Sequence, residues 1–186
     1  LKYVQTGEKY TGELKINLKI STTIKEIISE EWTVSHALNE VKDEFKMNLI
    51  GQKNFVLSPG QYSVALDVED VNNPETSASK KFTIIAPDFP YNEIAISDIQ
   101  LAQIIEKRSE AGNQWLNSFY KNTLYVIPNP QLDYFAESPT LKAYLEIYNA
   151  KSLAPEGITL KKVLLDALYR EIVAIPQKMN SADDGL

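Results

Sequence analysis

Phe55-Val56-Leu57-Ser58-Pro59-Gly60-Gln61-Tyr62-Ser63-Val64-Ala65-Leu66-Asp67-Val68 is the stretch on which the fold turns. Proline presets φ for the first corner of a tight turn, and glycine accepts positive φ at the second. Past that corner Tyr62, Val64, Leu66 and Val68 alternate with Ser63, Ala65 and Asp67. Successive side chains of a strand point to opposite faces, so the alternation describes a strand with one buried and one wet face. With Phe55 and Leu57 leading in, the segment predicts a β-hairpin.

The same period of two extends toward the N-terminus. Leu14, Ile16, Leu18 and Ile20 are spaced by Lys15, Asn17 and Lys19, and Ile28, Trp32 and Val34 follow with Glu31 and Thr33 on the opposite face. Toward the C-terminus a polar loop is expected from Asp70 to Lys80, then a closing strand through Phe82, Ile84 and Ala86. The expected core of this part is Leu14, Ile16, Leu18, Trp32, Tyr62, Val64, Leu66 and Ile84. The Tyr62 hydroxyl is expected to find a partner near the turn, as in a tyrosine corner. Leu38, Val41 and Phe45 have helical spacing in a polar setting, which fits either a short helix or a polar edge strand.

Ala86-Pro87-Asp88-Phe89-Pro90 reads as a boundary, because two prolines withhold backbone donors and stiffen the connection. A second run of strands is expected beyond it. One spans Ile94 to Leu101, a long polar loop covers Ser109 to Asn117, and another strand runs from Tyr120 to Ile127 up to Pro128-Asn129-Pro130. Leu141, Ala143, Leu145 and Ile147 then alternate with Lys142, Tyr144, Glu146 and Tyr148. Ile158 to Met179 suits either a helix or two strands. Short strands at regular spacing with turn residues between them indicate an all-β fold. The expected architecture is two tandem immunoglobulin/fibronectin-like antiparallel β-sandwich modules, at residues 1–86 and 93–186 with a linker at 87–92. Such modules need about 100 residues each, and the chain has 186.

A net charge of −6 argues against a nucleic-acid backbone or an anionic membrane surface as partner. No cysteine is present, which removes disulfides, thiolate metal sites and cysteine nucleophiles. No apolar run reaches the ~20 residues of a membrane helix. The lone histidine, His36, reads as a surface residue, with no matched nucleophile for a triad and no second histidine for a zinc site. Asp67, Glu69, Asp70 and Asp88 are oxygen donors of the kind calcium takes, without a glycine-bearing calcium loop. No cofactor motif occurs.

The aromatics remain. Trp32 is in phase with the core pattern. Trp115, Phe119 and Tyr120 cluster in a polar stretch, and Tyr144 and Tyr148 share the face opposite Leu145 and Ile147. These five, Trp115, Phe119, Tyr120, Tyr144 and Tyr148, are the candidate interaction surface, because aromatics at a surface mark interfaces.

Taken in order, Leu57-Ser58-Pro59-Gly60-Gln61-Tyr62, Ala86-Pro87-Asp88-Phe89, Ile96-Ser97-Asp98-Ile99-Gln100-Leu101-Ala102, Leu124-Tyr125-Val126-Ile127-Pro128-Asn129-Pro130 and Ala143-Tyr144-Leu145-Glu146-Ile147-Tyr148-Asn149 resemble the region upstream of the GWxTD domain in Bacteroidetes-type envelope proteins. The resemblance spans residues 10–180, and the GWxTD motif itself is absent. It implies an exported, extracytoplasmic, cell-envelope-associated chain of β-sandwich modules with no established activity. It also favours strands at Leu38 to Met47 and Ile158 to Met179. The resulting expectation is a non-catalytic structural or interaction module whose partner is a protein or a sister domain; the alternative is a carbohydrate-binding accessory module, with sugar rings stacked on Trp115 and Tyr120. Starting at Leu1 rather than a methionine, the chain reads as processed or excerpted, with the second module expected to be incomplete at Leu186 and completed by a strand from elsewhere.

Overall fold

The computed structural model describes residues 1–41, 49–107, 114–131 and 140–179, and of 114–116 the backbone only. The protein is all-β: among the described residues, antiparallel strands are joined by one 3-10 helix and one four-residue α-helix. The chain divides into two compact units, Leu1–Leu49 with Phe55–Asp88, and Ile50–Asn54 with Phe89–Leu186.

In the first unit β1 (Val4–Thr6), β2 (Lys9–Ser21), β3 (Glu26–Leu38), β4 (Gly60–Asp70) and β5 (Asn73–Ala86) make one five-stranded sheet. β3 lines one edge of β2 from Tyr10↔Leu38 to Ser21↔Glu26. β4 and β1 share the other edge, β4 from Leu14↔Asp70 to Ser21↔Ser63 and β1 beside Lys9 to Thr11. β5 pairs with β4. These registers put Leu14, Ile16, Leu18 and Ile20 on one face with Ile28, Trp32 and Val34 of β3 and Val64, Leu66 and Val68 of β4. Lys15, Asn17, Lys19, Glu31 and Asp67 fall on the other face, as the alternation requires.

The covered part of that apolar face is smaller than the sequence suggests. Ile20, Tyr62 and Val64 are buried, with Leu18, Ile28, Phe55, Leu57, Ile84 and Ala86 packed around them. Leu14, Ile16, Leu18, Trp32, Leu66 and Ile84, expected in the core, are half-buried.

Three local readings are corrected. Phe55 and Leu57 form no strand, so Pro59-Gly60 is not a hairpin turn; it is the corner where the chain enters β4, and the two apolar side chains cap the core. Gly60 has φ +152°, and a Cβ there would meet nothing closer than 3.8 Å, so the backbone conformation selects glycine rather than crowding. The true hairpin is β4–β5, closed at Val71-Asn72, and most of the polar stretch expected to be a loop, residues 73–80, lies within the 14-residue β5. β5 is an edge strand whose side chains need little burial, so the composition of residues 73–80 carries no strand signal, while the expected closing strand through Phe82, Ile84 and Ala86 is its second part. Finally, Leu38 ends β3 and residues 39–41 are not strand, while the rest of the segment favoured as a strand, 42–47, lies outside the described residues.

A buried carboxylate secures the corner. Asp70 accepts the backbone N–H groups of Lys2 and, at 3.0 Å, Asn72. The Asn72 amide donates to the carbonyls of Lys2 and Thr11, each at 3.1 Å. The segment ahead of β1 is thereby tied to the β4–β5 turn.

In the second unit β6 (Ala95–Ile96) and β7 (Gln100–Lys107) replace the single strand expected from Ile94 to Leu101. A 3-10 helix (Gln114–Phe119) occupies part of the expected loop. The strand expected from Tyr120 to Ile127 is broken into β8 (Tyr120–Lys121) and β9 (Leu124–Pro128), because Asn122 takes a left-handed φ of 51° and turns the chain back. β10 (Lys142–Tyr144) and β11 (Ile147–Tyr148) follow, then α1 (Ala150–Leu153), β12 (Ile158–Leu165) and β13 (Glu171–Met179). One sheet has the order β10-β7-β9-β8; β11 pairs with β6, and β12 with β13. Leu124 to Ile127 are all buried, as expected of a central strand covered on both faces. The core is Ala102, Leu124, Val126 and Tyr144 with Ile105 against it.

Tyr62 donates its hydroxyl to the Ser58 carbonyl at 2.8 Å across the Pro59-Gly60 corner while its ring is buried. Tyr62→Ala is expected to destabilise the first unit by about 3–5 kcal/mol, the scale for a buried aromatic deletion. Tyr62→Phe, which loses the hydrogen bond alone, is expected to cost about 0.5–1.5 kcal/mol. Chemical denaturation of both variants checks the ordering; equal losses would mean that the ring contributes nothing beyond its hydroxyl.

Candidate functional site

Tyr144, Glu146 and Tyr148 are spaced by two, so in extended chain they project to one side. The structure brings them together. The Tyr144 hydroxyl donates to Glu146 Oε1 at 2.7 Å and the Tyr148 hydroxyl to Oε2 at 2.5 Å. Asn122, at the left-handed turn between β8 and β9, donates its amide to the Tyr144 hydroxyl at 2.7 Å and to Glu146 Oε1 at 3.4 Å. Lys121 Nζ lies 5.4 Å from the centroid of the Tyr144 ring and donates to Gln100 Oε1. Gln100 stands directly opposite Tyr144 in the β7–β10 register.

The Glu146 backbone is held as well. Its N–H donates to Ser97 Oγ at 2.8 Å and its carbonyl accepts the Ser97 N–H at 2.9 Å. The Tyr148 ring packs on Phe89 at 4.4 Å between centroids, and the Asn149 amide donates to the carbonyls of Pro90 and Glu93 at 2.8 and 2.7 Å.

These contacts set the protonation states. The hydroxyls of Tyr148 and then Tyr144 hold the Glu146 carboxyl below its ordinary value. Burial first, and then the bond to Glu146, pushes the Tyr144 phenol well up, and the same two causes push Tyr148 up to about 12. A carboxylate whose two oxygens both accept phenol protons is a weak base, and phenols held this far up are weak acids. The arrangement therefore clamps three chain segments rather than offering a proton-transfer group.

Of the five aromatics singled out by sequence, Tyr144 and Tyr148 meet here, with Tyr144 buried and Tyr148 half-buried. Phe119 is fully buried, and Tyr120 is half-buried with its ring 5.7 Å from that of Tyr125 at 61° between planes. The Trp115 side chain lies outside the described residues. In β10 the expected split is reversed, with Tyr144 buried and Leu141 and Ala143 exposed, while Leu145 and Ile147 are half-buried like Tyr148. A tyrosine ring buries more apolar area than alanine, and its hydroxyl is satisfied here by Asn122 and Glu146. Sequence reasoning passed over Glu146, Asn122, Lys121 and Gln100. The Tyr-x-Glu-x-Tyr spacing was a usable signal for the first; the others depend on strand pairing.

A second feature is the β12–β13 ribbon, which pairs with no other strand among the described residues. One carboxylate organises its turn: Asp166 accepts the N–H groups of Leu168 and Arg170 at 2.8 and 2.9 Å and the Arg170 Nε–H at 2.6 Å. Yet the ribbon presents Leu164 (50% exposed), Leu168 (70%), Ile172 (58%) and Ile175 (53%) to solvent, with Val163, Leu165 and Val173 beside them. In register, Leu164 faces Val173 and Lys162 faces Ile175 on one side, while Val163 faces Ala174 on the other. Apolar side chains thus lie on both faces.

Among the described residues no three histidine or acidic side chains gather to hold a metal ion, and no helix is long and apolar enough to cross a membrane. Asp67 is engaged by the Ser79 hydroxyl at 2.5 Å, and His36 Nδ1 by the Tyr3 hydroxyl at 3.1 Å. Comparison with protein-family models, with curated proteins and with solved structures gave no match.

The Tyr148→Phe variant should return the Glu146 carboxyl toward its ordinary value of 4.5. Because the folded-state value of Glu146 is lowered, its contribution to stability is present above the unfolded value and lost as pH falls through the folded one. The raised tyrosines contribute below pH 10 and lose that contribution as pH rises, for Tyr148 through about 12. Carboxyl-carbon NMR titration reads the Glu146 shift directly; identical titration curves for the parent and Tyr148→Phe would refute the phenol clamp.

Proposed function

We propose that this chain is a non-catalytic structural and interaction module of an exported bacterial cell-envelope protein, built of immunoglobulin-like β-sandwich modules and acting on a protein partner or on sister domains of a longer chain. The observation that carries the reading is the β12–β13 ribbon. An isolated two-stranded ribbon is marginally stable in water, and contiguous exposed apolar surface on a folded chain marks an interaction site. Most of the side chains presented are aliphatic, with Tyr169 exposed at the turn, which suits a complementary protein surface. The non-catalytic part rests on the Glu146 cluster, where the strongest local electrostatics hold groups in place and leave no oxygen poised for chemistry. The envelope location rests on the resemblance to the region upstream of the GWxTD domain.

The carbohydrate-binding alternative needs flat, accessible aromatics. Phe119 is buried and Tyr120 packs against Tyr125, so the aliphatic ribbon supports a protein partner further than these rings support a sugar.

A photo-reactive residue placed at Leu168 or Ile175 is expected to form protein adducts in the intact bacterial envelope, whereas one at Ser63, exposed on the polar face of the first sheet, is not. Irradiation followed by mass spectrometry reads the adducts. Equal labelling from Ser63, or no adduct from the ribbon, counts against the proposal.

A further inference from the structure

We infer, on the reading of the β12–β13 ribbon as the interaction site, that its partner binds by adding an extended, acidic and aliphatic strand to the outer edge of β12. Among the described residues every hydrogen bond and ion pair made by residues 158–179 stays within the ribbon. Both outer edges are therefore open, and they are not alike. Exposed edges are normally guarded by proline, a bulge or charge. β13 carries the first two of these guards. Pro176 has no backbone donor, and a proline within a sheet is confined to an edge that faces solvent. The register also slips between Leu164↔Val173 and Leu165↔Glu171, which makes Ile172 the extra residue of a bulge on β13. β12 has no proline, and the extra residue is not its own.

Charge is the guard left to β12, and its lysines are drawn off the edge. Lys161 Nζ lies 3.6 Å from Glu171 Oε2, and Lys162 Nζ donates to Gln177 Oε1 at 2.9 Å, both across on β13. Held there, the ammonium groups leave the β12 main chain uncovered and still set the sign of the ribbon. Lys161, Lys162, Arg170 and Lys178 stand against Asp166 and Glu171, a net charge of +2 within a chain whose net charge is −6. A basic ribbon on an acidic chain fits an acidic partner. The aliphatic side chains point to a strand. Ile158, Leu160 and Leu164 lie on one face of β12, and Val163 and Leu165 on the other. A flat protein surface laid on the ribbon covers one face and leaves the other in water. A strand added to the edge sends alternate side chains to both faces and covers both, while its main chain takes the free donors and acceptors. Pairing of β12 with its own copy would gather the lysines of both at one seam, which disfavours a second ribbon as the occupant.

A synthetic peptide of seven residues, acetylated and amidated, tests the edge. It is built to run antiparallel to Ile158–Leu164, with valine opposite Ile158, Leu160, Val163 and Leu164, threonine opposite Thr159, and glutamate opposite Lys161 and Lys162. Titrated into the isotope-labelled protein, it is expected to shift the backbone amide signals of β12 more than those of any strand in the first unit. Lysine in place of both glutamates is expected to weaken binding about tenfold or more. N-methylation of alternate nitrogens on the pairing edge of the peptide, which leaves its side chains unchanged, is expected to abolish binding. Lys161 and Lys162 are exposed, and in Lys161→Glu with Lys162→Glu the order of the glutamate and lysine peptides is expected to reverse. No shift in β12 at millimolar peptide, unaltered binding of the N-methylated peptide, or equal binding of the glutamate and lysine peptides would each overturn the strand addition. Photo-adducts from Ile175 that persist alongside such a failure would put the partner on a face of the ribbon and leave the proposed function standing. Absent adducts alongside a peptide seated on β12 would count against that function and leave the edge in place.

Discussion

Strand β2 organises the first unit: β1, β3 and β4 all take their backbone hydrogen bonds from it, and only β5 is joined through a neighbour. Its strict alternation is therefore a constraint on the whole sheet. A slip of one residue would carry Leu14, Ile16, Leu18 and Ile20 to the wet face together with every apolar residue registered against them. The neutral seam of lysines and acids on the opposite face, Lys15 with Glu31 and Lys19 with Glu26, depends on the same register. These exposed pairs contribute little individually, but they remove like-charge conflict from a mostly polar face.

The second unit solves a different problem. Its sheet is small, its strands are short, and its core holds few residues, so hydrophobic burial alone has little surface to work with. The Tyr144–Glu146–Tyr148 cluster supplements it with charge-assisted hydrogen bonds that join β8, β10, β11 and the Ser97 segment. Such bonds are roughly twice as strong as neutral ones. Placing the carboxylate between two phenols satisfies it without full burial, which avoids the desolvation cost of a buried ion.

What the two units expose is as informative as what they bury. The first leaves Leu14, Ile16 and Trp32 half-buried on its apolar face, and the second leaves aliphatic side chains of the β12–β13 ribbon exposed beside a turn held by Asp166.

Strand identity was legible wherever alternation was long and one-sided, as in β2, β3 and β4, because a period of two is a local property that pairing partners only reinforce. It failed at β5, whose polar residues on an open edge look like a loop, and at Asn122, where one left-handed residue folded a single expected strand into two. The chain's all-β character, its aromatic candidates and the Tyr62 anchor were therefore properties of the sequence itself. That Tyr144 turns inward, that Glu146 binds two phenols at once, that Asn122 completes the cluster and that the Asp166 turn holds aliphatic side chains in water were decided by tertiary structure. Each depends on which strands lie side by side, and pairing across tens of residues leaves no periodic trace in the sequence.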